Sequence, residues 1–303
     1  MAWTKSQQEL LQTRTRGELR FNEPMAAHTT LQVGGPADAW CRPADLEDLR
    51  AVLGVAKEQG WTWLLLGRGS NLLVRDGGVR GLVISLAALD ALRLDDGAVV
   101  YAEAGVRLKR LLGFCGERGL SGLEGLEGVP GTVGGAIVMN AGTPAGVIGD
   151  VVIDVTCVEQ GEKLVTRTAK QLEFAYRKTK LARSAIVVAT RLAVRPSTPE
   201  TVKARLAELR AKREDAQPGT QPSVGSIFRN PDGRSAWQLV DDAGLRGVRI
   251  GQARISELHA NWIVNEGGAT ARDVERLIRV AREKVKERSG IWLEPEVVMV
   301  GEE

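Results

Sequence analysis

Five glycines at intervals of three residues constrain the middle of this chain more than any other feature. They are Gly122, Gly125, Gly128, Gly131 and Gly134, in the segment SGLEGLEGVPGTVGGAIVMNAG. Glycine lacks a Cβ atom, so successive main-chain N–H groups can approach one anion closely. A collagen-like repeat is excluded, because Leu, Glu, Val and Thr fill most intervening positions and the run ends in apolar residues. The spacing therefore predicts a phosphate-binding loop.

A second glycine-rich segment, LLLGRGSNLLVRDGG, follows a predicted strand directly. A dinucleotide-binding GxGxxG motif that begins at Gly67 requires a third glycine at position 72 and a helix from there. Leu72 and a second predicted strand occupy those places. We therefore predict a strand–turn–strand loop that presents N–H groups, Ser70 and Asn71 to a ligand. An ordinary turn is the alternative.

The two glycine-rich loops lie about 60 residues apart in one predicted α/β unit, and neither has the Walker or the Rossmann pattern. Two anion-binding loops suit a long ligand with two phosphates, and FAD is the natural candidate. The alternative for the glycine repeat is close packing between strands without any ligand.

The composition is that of a globular protein of two or three domains, with 303 residues, 43% hydrophobic and 26% charged. A net charge of only +3 argues against nucleic-acid binding. The three cysteines are not spaced for disulfides, and with two distant histidines they give no metal-ligand pattern. The sequence also lacks an apolar leader and a membrane-length apolar stretch, so we predict a cytoplasmic protein without a membrane or metal partner.

Periodicity and turn residues divide the chain into four parts. We predict an N-terminal helix and lead-in over 1–29 and an FAD-binding domain over 30–197, with two subdomains that meet near 75–80. A smaller substrate-binding domain is predicted over 198–291. The C-terminal strand, over 292–303, is expected to return to the FAD-binding domain and the active site.

Helices are predicted within these parts from spacing and from terminal residues. They cover residues 5–13, 45–59, 108–118 and 201–215, and a long helix runs from Thr270 to near Gly290. Thr270 and Asp273 lie close to a capping-box spacing. The buried stripe of the long helix is predicted to be Val274, Leu277, Ile278, Ala281 and Val285.

Three segments carry groups that suit catalysis. Ser226 follows a glycine without a GxSxG motif, so we interpret it as a proton donor; a turn or N-cap serine is the alternative. Arg177, in FAYRKTK, suits bidentate binding of a carboxylate, unless this basic cluster is a solvated face. Glu294 and Glu296 alternate along a predicted strand and so point the same way. Arg213 lies in the basic end of a predicted helix, where its side chain could bind a phosphate; a solvated helix face is the alternative.

Six motifs in order resemble the UDP-N-acetylenolpyruvoylglucosamine reductase family, in its shorter type II class. They are LGRGSNLLVRD, GVPGTVGGAIVMNAG, FAYRKTKL, GSIFRNP, HANWIVN and LEPEV. The resemblance covers nearly the whole chain. It implies an α+β fold with a two-part FAD-binding domain of the vanillyl-alcohol-oxidase-like (PCMH) type and a smaller α+β substrate domain. It also implies that non-covalent FAD, reduced by NADPH, serves to reduce UDP-N-acetylglucosamine enolpyruvate to UDP-N-acetylmuramate for peptidoglycan synthesis.

The same resemblance implies roles for individual residues. Ser226 would be the proton donor, and Arg177 and Glu296 would stabilise the enolate. For the substrate nucleotide, the candidates are Asn230, Arg213 and Asn261. The residues implied in FAD binding come from the two glycine-rich loops and from the segment that follows the glycine repeat. They are Gly67, Arg68, Gly69, Ser70, Asn71, Leu72, Pro130, Gly131, Thr132, Gly134, Gly135, Ala136, Asn140 and Gly142.

The chain departs from the family pattern at several positions: Gln32, Arg68, Thr143, Pro144 and Val298. None of these is one of the three catalytic positions. Two other functions fit the motifs less well. An oxidase of the same fold would use oxygen in place of NADPH, and a non-catalytic nucleotide-sugar binder would bind UDP-sugars without flavin chemistry.

Overall fold

The computed structural model describes residues 3–159, 163–182, 184–219 and 221–303. None of the helices formed by these residues has the length and apolar character needed to cross a membrane. The helices are α1 (Lys5–Arg14), α2 (Leu46–Glu58), α3 (Leu108–Glu117), α4 (Val133–Met139), α5 (Ala169–Leu172), α6 (Pro199–Glu214), α7 (Ala236–Asp242) and α8 (Ala271–Ser289).

Most strands belong to three sheets. In chain order the strands are β1 (Glu18–Pro24), β2 (Pro36–Arg42), β3 (Trp63–Leu66), β4 (Leu72–Val74), β5 (Val79–Ser85), β6 (Leu92–Asp95), β7 (Val99–Glu103), β8 (Leu120–Ser121), β9 (Gly142–Thr143), β10 (Gly146–Val147), β11 (Val152–Glu159), β12 (Lys163–Thr168), β13 (Ile186–Ala193), β14 (Arg195–Pro196), β15 (Ser223–Ser226), β16 (Arg249–Ile250), β17 (Ala253–Ile255), β18 (Trp262–Asn265) and β19 (Val298–Val300).

The first sheet has the order β1-β2-β5-β3. The strand β5 runs parallel to both of its neighbours, β2 and β3, and α2 buries Leu49, Val52 and Leu53 in the core beside them. Two boundaries of the predicted domains therefore differ from the structure. The lead-in is part of this sheet, because β1 pairs with β2. The change to the second sheet comes after Ser85 rather than near 75–80, because β5 lies inside the first sheet.

The second sheet is antiparallel and has the order β12-β11-β13-β7-β6. Its apolar residues form one core with α3, α4 and α6. The helix α6, predicted to open the smaller domain, therefore packs on this core instead. Gly116 of α3 faces α6 at this contact, where a Cβ would lie 3.5 Å from Leu206, an ordinary van der Waals distance.

The third sheet, β15-β18-β17-β16, is covered by α7 and α8. The helix α8 confirms its prediction: Thr270 and Asp273 form a capping box, and Gly290 ends the helix with φ +73°. The predicted stripe is buried along its whole length. Beyond α8 the chain returns across the molecule, where β19 runs parallel to β4. The segment before β19 therefore lies between the third sheet and the glycine-rich loop over residues 67–72.

Candidate active site

Two adjoining cavities, of about 1120 and 520 Å³, open where the sheets meet. Both are lined by Gly67, Arg68 and Gly131 from the glycine-rich loops, and by Arg213 from the end of α6. The smaller cavity also brings together Arg177, Ser226 and Glu296, the three predicted catalytic residues.

The loop over residues 67–72 lines the smaller cavity along its whole length. Among the described residues, the N–H groups of Arg68, Gly69, Ser70 and Asn71 have no hydrogen-bond acceptor. Gly69 adopts φ +64°, and a Cβ there would lie 2.3 Å from the carbonyl oxygen of His28. This turn therefore requires glycine and leaves four successive donors available to an anion.

The loop over residues 67–72 contacts the glycine repeat, because the Ser70 hydroxyl donates to the carbonyl oxygen of Pro130 at 3.2 Å. The N–H groups of Gly131, Thr132 and Gly135 also have no acceptor in the described part of the chain. All three residues line the smaller cavity. Seven residues that line the smaller cavity therefore have N–H groups without an acceptor in the described structure, and such a set of donors suits a diphosphate, so the residues present fit FAD.

The glycine repeat is only partly a ligand loop. Gly128 and Gly131 line a cavity, whereas Gly122, Gly125 and Gly134 line neither. A Cβ on Gly125 would lie 2.7 Å from the backbone of Gly146. Gly134 lies in α4, which the loop prediction did not include, and its N–H donates to Ala104. The contacts of Gly125 and Gly134 support the packing alternative for these two positions.

Asn140, predicted to bind FAD, also lies away from both cavities. It is buried with φ +42° at the end of α4. Its side-chain amide donates to the carbonyl oxygen of Ala175 at 3.0 Å and accepts from the N–H of Gly149 at 3.1 Å. Asn140 thus holds the turn that carries Arg177. The remaining predicted FAD residues, Leu72, Ala136 and Gly142, do line the smaller cavity.

Arg177 and Glu296 form a partly buried ion pair. The distance from Arg177 Nε to Glu296 Oε1 is 2.8 Å, and their side chains are 21% and 12% exposed. The Nε–H is not aligned with any acceptor in the described residues, so the contact is one of charge. Burial raises the pKa of Glu296, and the charges of Arg177 and Arg229 offset part of that rise. A second nitrogen, Arg177 Nη1, donates to the carbonyl oxygen of Gly142 at 3.2 Å.

Ser226 ends β15 and pairs with Trp262 of β18. The next residue, Ile227, accepts from the N–H of Glu296 at 2.7 Å, which places the two catalytic segments side by side. Asn71, in the loop over residues 67–72, donates from Nδ2 to the carbonyl oxygen of Glu296 at 3.1 Å. The Ser226 hydroxyl has no hydrogen-bond partner within the described chain. It is therefore free to meet a ligand.

The three predicted substrate residues line the smaller cavity but differ in what they offer. The Asn261 amide forms hydrogen bonds with both the N–H and the carbonyl of Phe228, at 2.9 and 2.8 Å, so it holds the strand after Ser226. Asn230 Oδ1 accepts from Ala236 at 2.9 Å. Arg213 donates to Gln217 at 2.7 Å, and burial lowers its pKa, opposed by Glu127.

The departures from the family pattern also lie at the cavities. Arg68 is exposed and has no ion-pair partner among the described residues. Gln32 lines the larger cavity, whereas Thr143, Pro144 and Val298 line the smaller one. Three aromatic residues of the smaller cavity, Trp237, His259 and Trp262, were not among the predicted site residues. The pairing of β15 with β18, which no local spacing predicts, brings Trp262 there. Groups of metal-binding side chains are absent from the described residues.

Two family models and several curated proteins match this chain. A family model of the FAD binding domain matches residues 37–167, and one of the UDP-N-acetylenolpyruvoylglucosamine reductase C-terminal domain matches residues 217–300. A Geobacter metallireducens protein with that reductase name is 47% identical over 293 residues, 97% of each chain. Another, from Methylococcus capsulatus, is 42% identical over 290 residues, 95% of each chain.

Solved structures extend the likeness to the fold. The crystal structure of the reductase from Thermus caldophilus has a TM-score of 0.81 at 37% identity, covering 94% of this chain and 98% of that chain. Physcomitrella patens BBE-like 1, 18% identical with a TM-score of 0.50, covers 62% of this chain and 44% of its own, and supports the fold alone. The predicted two-part FAD-binding fold with a smaller domain is confirmed. The chain belongs to the UDP-N-acetylenolpyruvoylglucosamine reductase family.

Proposed function

We propose that this chain reduces UDP-N-acetyl-3-O-(1-carboxyvinyl)-glucosamine to UDP-N-acetylmuramate with NADPH, through FAD, in the cytoplasm. The product is a peptidoglycan precursor, so the enzyme serves cell-wall synthesis, cell shape and division. The observation that carries the proposal is that Arg177, Ser226 and Glu296 meet in one cavity beside seven unpartnered N–H groups. Nucleic acid, membranes and metal clusters have no part in it.

Bound FAD supplies hydride chemistry between NADPH and the substrate. The N–H groups of residues 68–71, with those of Gly131, Thr132 and Gly135, hold its diphosphate. Arg68 lines both cavities and adds a positive charge there. Gly67, Pro130 and Ala136 border the same space without a charged side chain.

The reduction adds a hydride to the terminal vinyl carbon and a proton to the carbon that bears the carboxylate. Arg177 binds the carboxylate and stabilises the negative charge that spreads onto it. Ser226 Oγ delivers the proton to the carbon, a role that its unpartnered hydroxyl allows. Glu296, paired with Arg177 at 2.8 Å, stabilises the enolate together with that guanidinium. Asn230 and Arg213 bind the diphosphate of the nucleotide, and Asn261 supports the strand.

An anaerobic half-reaction experiment tests this function. NADPH is expected to bleach the yellow flavin, and the enolpyruvyl substrate is expected to restore its colour. Reoxidation by oxygen together with an alcohol or sugar in place of NADPH indicates the oxidase alternative. Protein that binds UDP-sugars but yields no flavin on denaturation indicates the non-catalytic binder.

Ser226→Ala separates the two half-reactions. We expect flavin reduction by NADPH to stay near the wild-type rate, because no proton donor to the substrate is needed there. Reoxidation by substrate is expected to slow by about 10²- to 10⁴-fold, the usual contribution of general acid catalysis. Equal rates for mutant and wild type in both half-reactions contradict the assignment of Ser226 as the donor.

A further inference from the structure

Three aromatic side chains, Trp237, His259 and Trp262, form one wall of the smaller cavity, which we call the aromatic wall. Trp237 belongs to α7, His259 lies in the turn before β18, and Trp262 begins β18. The His259 ring centroid lies 6.2 Å from that of Trp237 and 6.2 Å from that of Trp262. The proposed roles of the catalytic residues do not use these rings.

Within the aromatic wall, Trp237 exposes 37% of its surface, whereas Trp262 is buried. The helix that carries Trp237 buries its own core face through Ala236, Leu239 and Val240, so the exposed ring is not needed to fill the core. A rigid, flat apolar face at a ligand cavity suits a planar heterocycle. Stacking of a nucleic-acid base on such a ring contributes about 1–3 kcal/mol.

His259 offers one hydrogen-bond donor beside that face. Its Nδ1 accepts from the N–H of Asn261 at 3.3 Å, which places the ring proton on Nε2. Burial and the positive charges of Arg246 and Arg213 lower the pKa of His259, which favours the neutral form of the ring. Its Nε2–H has no acceptor in the described residues. A carbonyl oxygen of a base is a suitable partner.

The charged part of the same cavity indicates which heterocycle enters. Arg213 and Arg177 contribute positive charge to it, and Asn230 contributes a side-chain amide. A nucleoside diphosphate joined to a carboxylate-bearing group fits this lining: the aromatic wall suits its base, Arg213 and Asn230 its diphosphate, and Arg177 its carboxylate. Uracil carries two carbonyl oxygens, and either can accept a hydrogen bond from the His259 Nε2–H.

We propose that Trp237 and His259 bind the uracil base of the nucleotide substrate, with stacking on the Trp237 ring and a hydrogen bond from His259 Nε2 to a uracil carbonyl. This inference rests on the proposed function, which makes a uridine nucleotide the substrate. Trp262 packs edge-on against the His259 ring and so helps to fix its position.

Calorimetric titration of the FAD-loaded protein with UDP, and separately with inorganic diphosphate, tests the proposal. Trp237→Leu is expected to weaken UDP binding by about 5- to 150-fold, the range for loss of one stacked base. Inorganic diphosphate should bind as it does to wild type, because it has no base. The matched control is Trp292→Leu, at a tryptophan that is 44% exposed and lines neither cavity, which should leave both affinities unchanged.

His259→Leu is expected to weaken UDP binding as well, and His259→Gln, which keeps an N–H donor, to restore part of it. The proposal is overturned if Trp237→Leu leaves UDP affinity unchanged, or weakens UDP and inorganic diphosphate equally. Slower flavin reduction by NADPH with unchanged UDP affinity assigns the ring to nicotinamide instead. Failure of the proposed function looks different: wild type then binds UDP no better than inorganic diphosphate and is not reoxidised by the enolpyruvyl substrate.

Discussion

Replacement of Gly69 by alanine is expected to abolish stable FAD binding. A Cβ at this position lies 2.3 Å from the carbonyl oxygen of His28 and 2.8 Å from Thr29 Cα. Both contacts are backbone atoms, so either the loop or the segment over residues 28–29 must shift. A separation of 3.0 Å requires a movement of at least about 0.7 Å. That shift misdirects the N–H groups of residues 68–71.

The size of the effect follows from those donors. A hydrogen bond to a charged group contributes about 1.5–3 kcal/mol, so the loss of two raises the Kd for FAD by about 10²- to 10⁴-fold. Alanine at φ +64° adds about 1–2 kcal/mol of backbone strain, which lowers stability rather than affinity. The assay measures flavin retained after dialysis, and then the Kd from titration of the dialysed protein with FAD.

Gly60→Ala is the matched control, because Gly60 has φ +65° but no atom within 4 Å of its added Cβ. It carries the same backbone strain without the collision. We expect it to melt at a lower temperature than wild type and to retain FAD. If Gly69→Ala binds FAD as tightly as Gly60→Ala does, the loop over residues 67–72 does not hold the cofactor phosphates.

Two further predictions concern the Arg177–Glu296 pair and its support. Because burial raises the pKa of Glu296, the folded state binds that proton more tightly than the unfolded state, and stability falls as pH rises through the raised value. The glutamine of the Glu296→Gln variant cannot ionise, so the melting temperature of the variant minus that of wild type should increase from pH 4.5 to neutral pH. A difference that stays constant over this range contradicts the raised pKa. Asn140→Gly removes two hydrogen bonds and should lower the free energy of unfolding by about 2 kcal/mol. Asn140→Ala should lower it by about 1 kcal/mol more, because alanine is strained at φ +42° and glycine is not. Both substitutions should slow reoxidation of the flavin by substrate, because the hydrogen bonds of Asn140 hold the turn that carries Arg177. The affinity for FAD should change by no more than about threefold. A loss of FAD affinity with normal turnover assigns Asn140 to the cofactor instead.

Local signals predicted the regular elements best. The helix α8 has a capping box, an apolar stripe and a terminal glycine, which all act within the helix itself, and the structure reproduces each. The helix α4 was missed because its VGGAIVM sequence contains two glycines, which disfavour helix. Its first N–H groups bond to Val106 and Ala104, so tertiary contacts stabilise it.

The assembly of the site depends on long-range pairing that periodicity does not encode. The place of β5 inside the first sheet, and of α6 on the core of the second, follow from partners far along the chain. The motifs identified Arg177, Ser226 and Glu296, but spacing alone left each with an ordinary alternative. Asn140 and Asn261 lie in the same motifs, yet their amides bond to backbone groups, a distinction that residue type does not reveal.

The pairing of β19 with β4 has a consequence for how the protein acquires its cofactor during synthesis. Asn71 and Glu296 are joined by a hydrogen bond across 225 positions, and β4 pairs only with β19 in the described structure. The ribosome makes the flavin loop early, but the strand that fixes its far end comes much later. The N-terminal sheets can fold first, whereas the loop gains its final geometry only after residues 298–300 emerge. We therefore expect FAD uptake to be a late event, because a nascent chain that stalls before residue 296 lacks both Glu296 and the strand that pairs with β4.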